Sequence, residues 1–287
     1  MYYIVLFLTI VKLHVARTGL RIIEGRDASD SEFLYVARLE AVTLKPSARR
    51  RLDRVTFCTG SVLSATWTLT AAHCIHFLEK YTKNNPEHYK YFVRIGNHSD
   101  LPSKSSNHPD DQQFEILSVH KHPAYKGLII DENIFIENDV GLLNTASVTL
   151  KEFPKISAVD YSSVSGHEAL AVGYGINVVI TKKDRPLPPT RRSLKVLDLV
   201  VVKCPKMGHM YPALCVAHRC GRAPTLCGGD SGGPLLHPSG IIAVASVNEA
   251  RNCLVEGKQR NDVVGVWTAI SPYITWITRH ILEKNMT

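Results

Sequence analysis

The chain offers little for a metal centre, a membrane span or a repeat architecture. None of its seven cysteines forms a CxxC pair, and no histidines follow a zinc-type spacing, so no metal site is expected. Beyond the N-terminus no segment is long and apolar enough for a membrane helix, and no membrane partner is expected. No segment repeats along the sequence. The formal charge of +8 is mild for 287 residues and gives no reason to invoke nucleic acid. Hydrophobic residues make up 45% of the chain, enough to bury a sizeable core and to argue against disorder.

The first residues read as an address. Tyr2 to Val11 is an uncharged apolar run, too short to span a bilayer, followed by Ala16. This fits a signal peptide over 1–16, although the only charge of its leading region is the amino terminus. A segment 17–21 then ends in Arg21, and one domain covers 22–287. Lys12, Arg17 and Arg21 would leave with these segments and no acid with them, lowering the charge to +5. In a secreted chain the cysteines read as disulfides, with one left over.

The rest is organised as short strands and turns. Cys58 to Leu69, Tyr91 to Ile95, Glu115 to His120, Ala169 to Val172, Leu194 to Val202, Gly233 to Leu236 and Ile241 to Val247 are predicted strands. Gly, Pro, Asn and Asp bound them, as in a sandwich or barrel. One helix is predicted near the C-terminus, with Ser271 as N-cap and Pro272 at the first position. Tyr273, Ile277 and Ile281 fall on one helical face, widened by Ile274 and Trp276. Two basic loops, Lys45 to Arg54 and Lys182 to Arg192, are read as solvated surface, with docking of an acidic partner or proteolytic nicking as the alternatives. Asn97-His98-Ser99 fits a glycosylation acceptor, as does Asn285-Met286-Thr287 at the extreme C-terminus.

Three segments carry chemistry. Leu69-Thr70-Ala71-Ala72-His73-Cys74, Asn138-Asp139-Val140-Gly141-Leu142-Leu143 and Cys227-Gly228-Gly229-Asp230-Ser231-Gly232-Gly233-Pro234 occur in the order His, Asp, Ser. A serine hydroxyl is a poor nucleophile without a base in hydrogen-bond reach, and the base needs an orienting partner. His73 can be that base, since imidazole titrates near neutrality. Asp139 can fix its tautomer and stabilise the imidazolium. The amides of Gly229 and Ser231 can form an oxyanion hole. Thirteen histidines are present; His73 is singled out by its position between Ala72 and Cys74. His76, His98, His108, His120, His122 and His209 are read as surface or loop residues. Cleavage after Arg21 would create a new amino terminus at Ile22. A buried ammonium requires a carboxylate, and Asp230 beside the nucleophile can supply it.

These residues, with Ile22-Ile23-Glu24-Gly25 and Gly173-Tyr174-Gly175, resemble the trypsin/chymotrypsin-like serine protease family from Ile22 to the C-terminal helix. The resemblance implies an all-β fold of two packed six-stranded antiparallel β-barrels with a C-terminal α-helix. It implies a zymogen activated at Arg21 and endopeptidase chemistry through an acyl-enzyme, without a cofactor. Protein or peptide substrates, an activating trypsin-like protease and protease inhibitors are the partners it implies, for a secreted monomer. It further implies the disulfides Cys58–Cys74, Cys204–Cys215 and Cys227–Cys253. Cys220 is then spare, with a free thiol, an intermolecular bond or a shuffled pairing all open.

Some positions depart from the family pattern. Thr225 stands where trypsin-like members carry an aspartate at the pocket base, and Leu226 makes that floor more apolar. Gly265 leaves one pocket wall open, and Ser246 matches the serine near the triad. Val247 and Asn248 replace residues that usually shape the groove. An uncharged residue of small to medium size is therefore expected on the acyl side of the cleaved bond (P1), rather than Arg or Lys. Asn97 stands in place of an acid used by calcium-binding members, so calcium is not expected. The alternative reading is a non-catalytic homologue acting as a binding or regulatory protein.

Overall fold

The computed structural model describes residues 25–44, 54–84, 88–96, 112–130, 133–175, 193–204, 212–218, 229–247 and 265–283. After the short strand β1 (Arg26–Asp27), the first half of the chain forms β2 (Val36–Thr43), β3 (Arg54–Val62), β4 (Trp67–Thr70), helix α1 (Ala72–Asn84), β5 (Tyr89–Ile95), β6 (Gln112–Lys121), the hairpin β7 (Lys126–Ile130) and β8 (Asn133–Glu137), and β9 (Gly141–Thr145). The second half forms β10 (Glu168–Gly173), β11 (Lys195–Val202), β12 (Ala213–His218), β13 (Pro234–His237), β14 (Gly240–Val247), β15 (Gly265–Ala269) and helix α2 (Ile274–Glu283).

Two closed antiparallel barrels result. The first runs β2-β3-β4-β9-β6-β5. The second runs β11-β10-β13-β14-β15-β12 and closes by pairing β12 back onto β11, with β1 added outside β11. Closure removes the exposed sheet edges that invite aggregation. Each barrel has its own core. Ala37, Leu39, Val93, Ile95 and Leu143 fill the first; Ala171, Leu197, Leu199, Val216, Ala243 and Trp267 fill the second.

Period-2 alternation explains how the barrels join. In β9 every residue is buried. Leu143 points into the first core, while its neighbour Leu142 points the other way, into a cluster with Ile241 and Val244 of the second barrel and Tyr273 and Ile277 of the C-terminal segment. A fully buried side chain of this size contributes about 1.5–3 kcal/mol. Val36 of the first barrel packs likewise with Val172, Tyr174 and Val196 of the second.

Each predicted strand region is extended, but Cys58 to Leu69 is not one strand: it is two, β3 and β4, separated by a turn over 63–66. Leu194 falls outside β11, and β13 is shifted by one residue to Pro234–His237, while the others are lengthened by a residue or more. Helix α1 and strands β1, β2, β7, β8, β9, β12 and β15 were not anticipated. The C-terminal helix exists, with one correction. Ser271 is not its side-chain cap: Ser271–Tyr273 form a 3-10 turn without a capping side-chain bond, and α2 starts at Ile274. The Ser271 hydroxyl instead accepts the amide of Tyr161 at 3.3 Å. A second correction concerns His120 and His122. They are half-buried rather than loose surface residues, His120 against Trp67 and His280, His122 against Tyr273 and Trp276. The segment 182–192, most of the first basic loop, Asn97 and Asn285 lie outside the described residues.

Candidate active site

His73 is the second residue of α1 and directly follows the turn out of β4. Its neighbour Cys74 is disulfide-bonded to Cys58 in β3, which ties the start of the helix to the barrel wall. Asp139 lies in the three-residue link between β8 and β9, and is 1% exposed. Three donors converge on its carboxylate. The His73 amide donates to Oδ1 at 2.7 Å, the His73 Nδ1–H to Oδ2 at 2.7 Å, and the Ser246 hydroxyl to Oδ2 at 2.5 Å.

These contacts set the electrostatics. Burial raises the cost of the Asp139 charge, but His73 and the converging donors outweigh it and hold the carboxyl below its usual range. Burial alone would lower the His73 pKa; the Asp139 charge and hydrogen bond win and raise it. With Nδ1–H committed to Asp139, the neutral ring presents the lone pair of Nε2.

The link before Asp139 is strained and secured. Asn138 has φ +52°, a left-handed conformation that asparagine tolerates better than most residues. Its amide donates to the Ala124 carbonyl at 2.9 Å, and its Oδ1 accepts the Tyr273 hydroxyl at 2.9 Å. The C-terminal segment thus reaches the residue adjoining Asp139. In the sequence Asn138 stands out only as a neighbour of Asp139, and Tyr273 only as part of a helical face; neither is assigned a role at the site there. A signal existed for Tyr273: a tyrosine on a buried helix face needs a partner for its hydroxyl.

Ser231 comes from the loop before β13. Its carbonyl accepts the Thr59 amide at 2.9 Å. The Cys74 sulfur lies 3.7 Å from that carbonyl oxygen and 3.7 Å from His73 Nε2, so one sulfur adjoins both residues. Thr59 also donates its hydroxyl to the Gly229 carbonyl at 2.8 Å. Gly229 has φ +105° and Gly232 φ +78°. A Cβ on Gly232 would overlap the Thr70 hydroxyl and the Thr59 carbonyl. Gly232→Ala is therefore expected to destabilise the fold by about 1–3 kcal/mol from its backbone conformation alone, with more from the overlap. A thermal melt checks this, and an unchanged midpoint would contradict it.

Asp230 is 2% exposed, and its Oδ1 accepts the Gly175 amide at 2.7 Å. A Cβ on Gly173 or Gly175 would overlap this carboxylate. The Gly173-Tyr174-Gly175 motif is therefore a cradle for Asp230.

Of the predicted pocket residues, Ser246 is buried beside Asp139, Val247 ends β14 opposite Val266, and Gly265 opens β15 opposite Val216. Thr225, Leu226 and Asn248 lie outside the described residues, as do Arg21, Ile22, Cys220, Cys227 and Cys253. Cys204 and Cys215 are bonded to each other.

Comparison with known proteins agrees with this architecture. A family model described as Trypsin matches residues 22–277. Kallikrein-8 of Homo sapiens is 28% identical over 233 residues, which cover 79% of this chain and 78% of that protein. Trypsin-3 of Salmo salar is 28% identical over 229 residues, covering 77% of this chain and 82% of the relative. Among solved structures, neuropsin, a serine protease expressed in the limbic system of mouse brain, matches with a TM-score of 0.62. That likeness covers 90% of this chain and 99% of neuropsin at 22% identity, and it shows the fold alone. With a shared fold and a family match over most of its length, the chain belongs to the trypsin family of serine proteases.

Proposed function

We propose that this protein is a secreted serine endopeptidase, made as a zymogen and activated by cleavage after Arg21. Ser231 is the nucleophile, His73 the general base and then acid, and Asp139 the group that orients and stabilises His73. The amides of Gly229 and Ser231 receive the oxyanion. The observation that carries this reading is the Asp139 carboxylate, buried and held by three donors, two of them from His73. A buried carboxylate so fully committed to one imidazole fits a base whose tautomer must be fixed.

In this reading residues 1–16 are the signal peptide, 17–21 the activation peptide and 22–287 the peptidase domain. The new Ile22 ammonium pairs with Asp230 and so shapes the loop carrying Gly229 and Ser231. Proteins are the substrates that the family implies. Thr225, Leu226, Ser246, Val247, Asn248 and Gly265 are the pocket residues of this reading, and none of them is an acid, which favours an uncharged P1 residue. The active form is a monomer that needs no cofactor.

The test is labelling with a fluorophosphonate probe before and after cleavage at the Arg21–Ile22 bond. Labelling is expected only after cleavage, and Arg21→Gln is expected to prevent both cleavage by a trypsin-like protease and labelling. Full labelling of the uncleaved chain would sink the ammonium–Asp230 link. Absence of labelling after verified cleavage would favour a binding protein over an enzyme.

A further inference from the structure

Outside the triad, two histidines meet on the surface of the second barrel. β10 and β13 are antiparallel, with Leu170 opposite Leu236 and Ala171 opposite Leu235. Continuing this register places His237, the last residue of β13, across from Ala169. His167, two residues before Ala169, then lies on the same face as His237 and diagonal to it. The rings meet accordingly: His167 Nδ1 is 3.2 Å from His237 Nε2, with ring centroids 5.3 Å apart and planes inclined by 20°.

His237 is oriented from behind. Its Nδ1 accepts the Ser239 amide N–H at 3.2 Å and lies 2.7 Å from the Ser239 hydroxyl. The Ser239 hydroxyl in turn lies 2.6 Å from that of Ser157, a residue 1% exposed. Ser157 Oγ accepts the Val159 amide at 3.2 Å. The chain of polar groups thus runs from the ring into the protein and fixes the direction of Nε2. Beside it opens a cavity of about 590 Å³, lined among others by His237, Ser239, Glu168, Asp198 and Lys155.

The separation of the two nitrogens matches a chelate. Imidazole nitrogens bind zinc at about 2.0–2.1 Å, so two of them on one tetrahedral ion stand roughly 3.3 Å apart. We propose that His167 and His237 form a two-imidazole site for a divalent transition-metal ion of the zinc and copper class, which imidazole ligands suit. In the metal-free protein the His237 Nε2–H donates to His167 Nδ1. On binding, that proton shifts to His237 Nδ1, which gives up the bond it accepts from the Ser239 amide and donates instead to the Ser239 hydroxyl, whose own proton is donated to Ser157. Nε2 of His237 and Nδ1 of His167 then each give a lone pair to the ion, and water fills its remaining positions. A ligating histidine whose other nitrogen is held by a hydrogen bond is the usual arrangement around such ions. Burial and the neighbouring His167 also lower the His237 pKa, which favours the neutral ligand form.

The position gives the site leverage. β10 leads into the Asp230 cradle, and β13 begins three residues after Ser231. An ion joining His167 and His237 clamps the far ends of these two strands and stabilises the folded state by mass action.

The test titrates the full-length, uncleaved protein with CuCl2 and follows electron paramagnetic resonance. One equivalent is expected to show coupling to two nitrogens, and ZnCl2 is expected to displace it. His167→Gln and His237→Gln should each abolish the two-nitrogen signal. Weak signals from other histidines should persist. If His237→Gln disturbs the Ser239 turn, His167→Gln decides alone, because that ring is exposed and outside the serine chain. A two-nitrogen signal that survives His167→Gln, or that never appears in the wild type, overturns the site and leaves a histidine pair sharing a proton. Failure here leaves the protease reading untouched, which is tested separately by probe labelling.

Discussion

Ser231→Ala is expected to lower peptide hydrolysis by about a millionfold in kcat once the chain has been cleaved after Arg21. In the proposed mechanism Ser231 is the nucleophile and its loss removes the covalent route, which costs about as much as removing the whole triad. The residual rate, about 10³–10⁴-fold above water, comes from binding and the oxyanion donors. The fold should survive the change. The bond that Ser231 lends to the framework is through its carbonyl, to the Thr59 amide, and alanine keeps it. Steady-state kinetics on an unblocked peptide library, with a thermal melt of the same sample, separates the two effects. A variant that keeps activity within tenfold would mean that another group attacks the substrate.

Asp139→Asn is expected to cost about 10⁴-fold in kcat while leaving the fold intact. An ionised carboxylate only accepts hydrogen bonds, and Asp139 accepts from the His73 amide, His73 Nδ1 and Ser246 together. An asparagine offers an NH2 to one of these positions. Facing Nδ1, it forces the other tautomer, so that Nε2 carries a proton and cannot take one from Ser231. The pH profile gives an independent reading. The base works as neutral imidazole, so kcat/KM in the wild type falls as pH drops through the His73 pKa, which is raised above 6.5. In the variant the negative charge is gone and burial remains, so the acid limb should move to lower pH. An acid limb that stays in place would show that His73 is not the group reported.

Much of the site was legible because its chemistry is compressed into short segments. His73, Asp139 and Ser231 each carry informative neighbours, and their order along the chain limits the folds that can unite them. The glycines at 173 and 175 were visible as a motif, but their reason was not. Only the fold shows that they leave room for the Asp230 carboxylate. The roles of Thr59 and Asn138 escaped notice because they rest on contacts distant in sequence. The Thr59 hydroxyl meets Gly229 across 170 positions, and Asn138 meets Tyr273 across 135. Strand β9 was missed for a different reason. Buried throughout, it lacks the polar–apolar alternation that marks a half-exposed strand. Helix α1 lies in a segment of mixed polarity, where β-branched Ile75 and Thr82 weaken the helical signal.

Thr59 also bears on how the molecule admits a substrate. It belongs to the first barrel, yet its amide holds Ser231, and its hydroxyl joins the Gly229 carbonyl to the Tyr174 amide. Its carbonyl accepts the Thr70 hydroxyl, which anchors it at home. Parting the halves like a clam-shell would break three of these bonds in one movement, at a residue with no exposed surface. In the proposed protease reading, the join between the barrels is then a fixed die rather than a closing jaw. A polypeptide substrate would have to conform to it, and selectivity would rest on which extended segments can be threaded across a surface that does not yield.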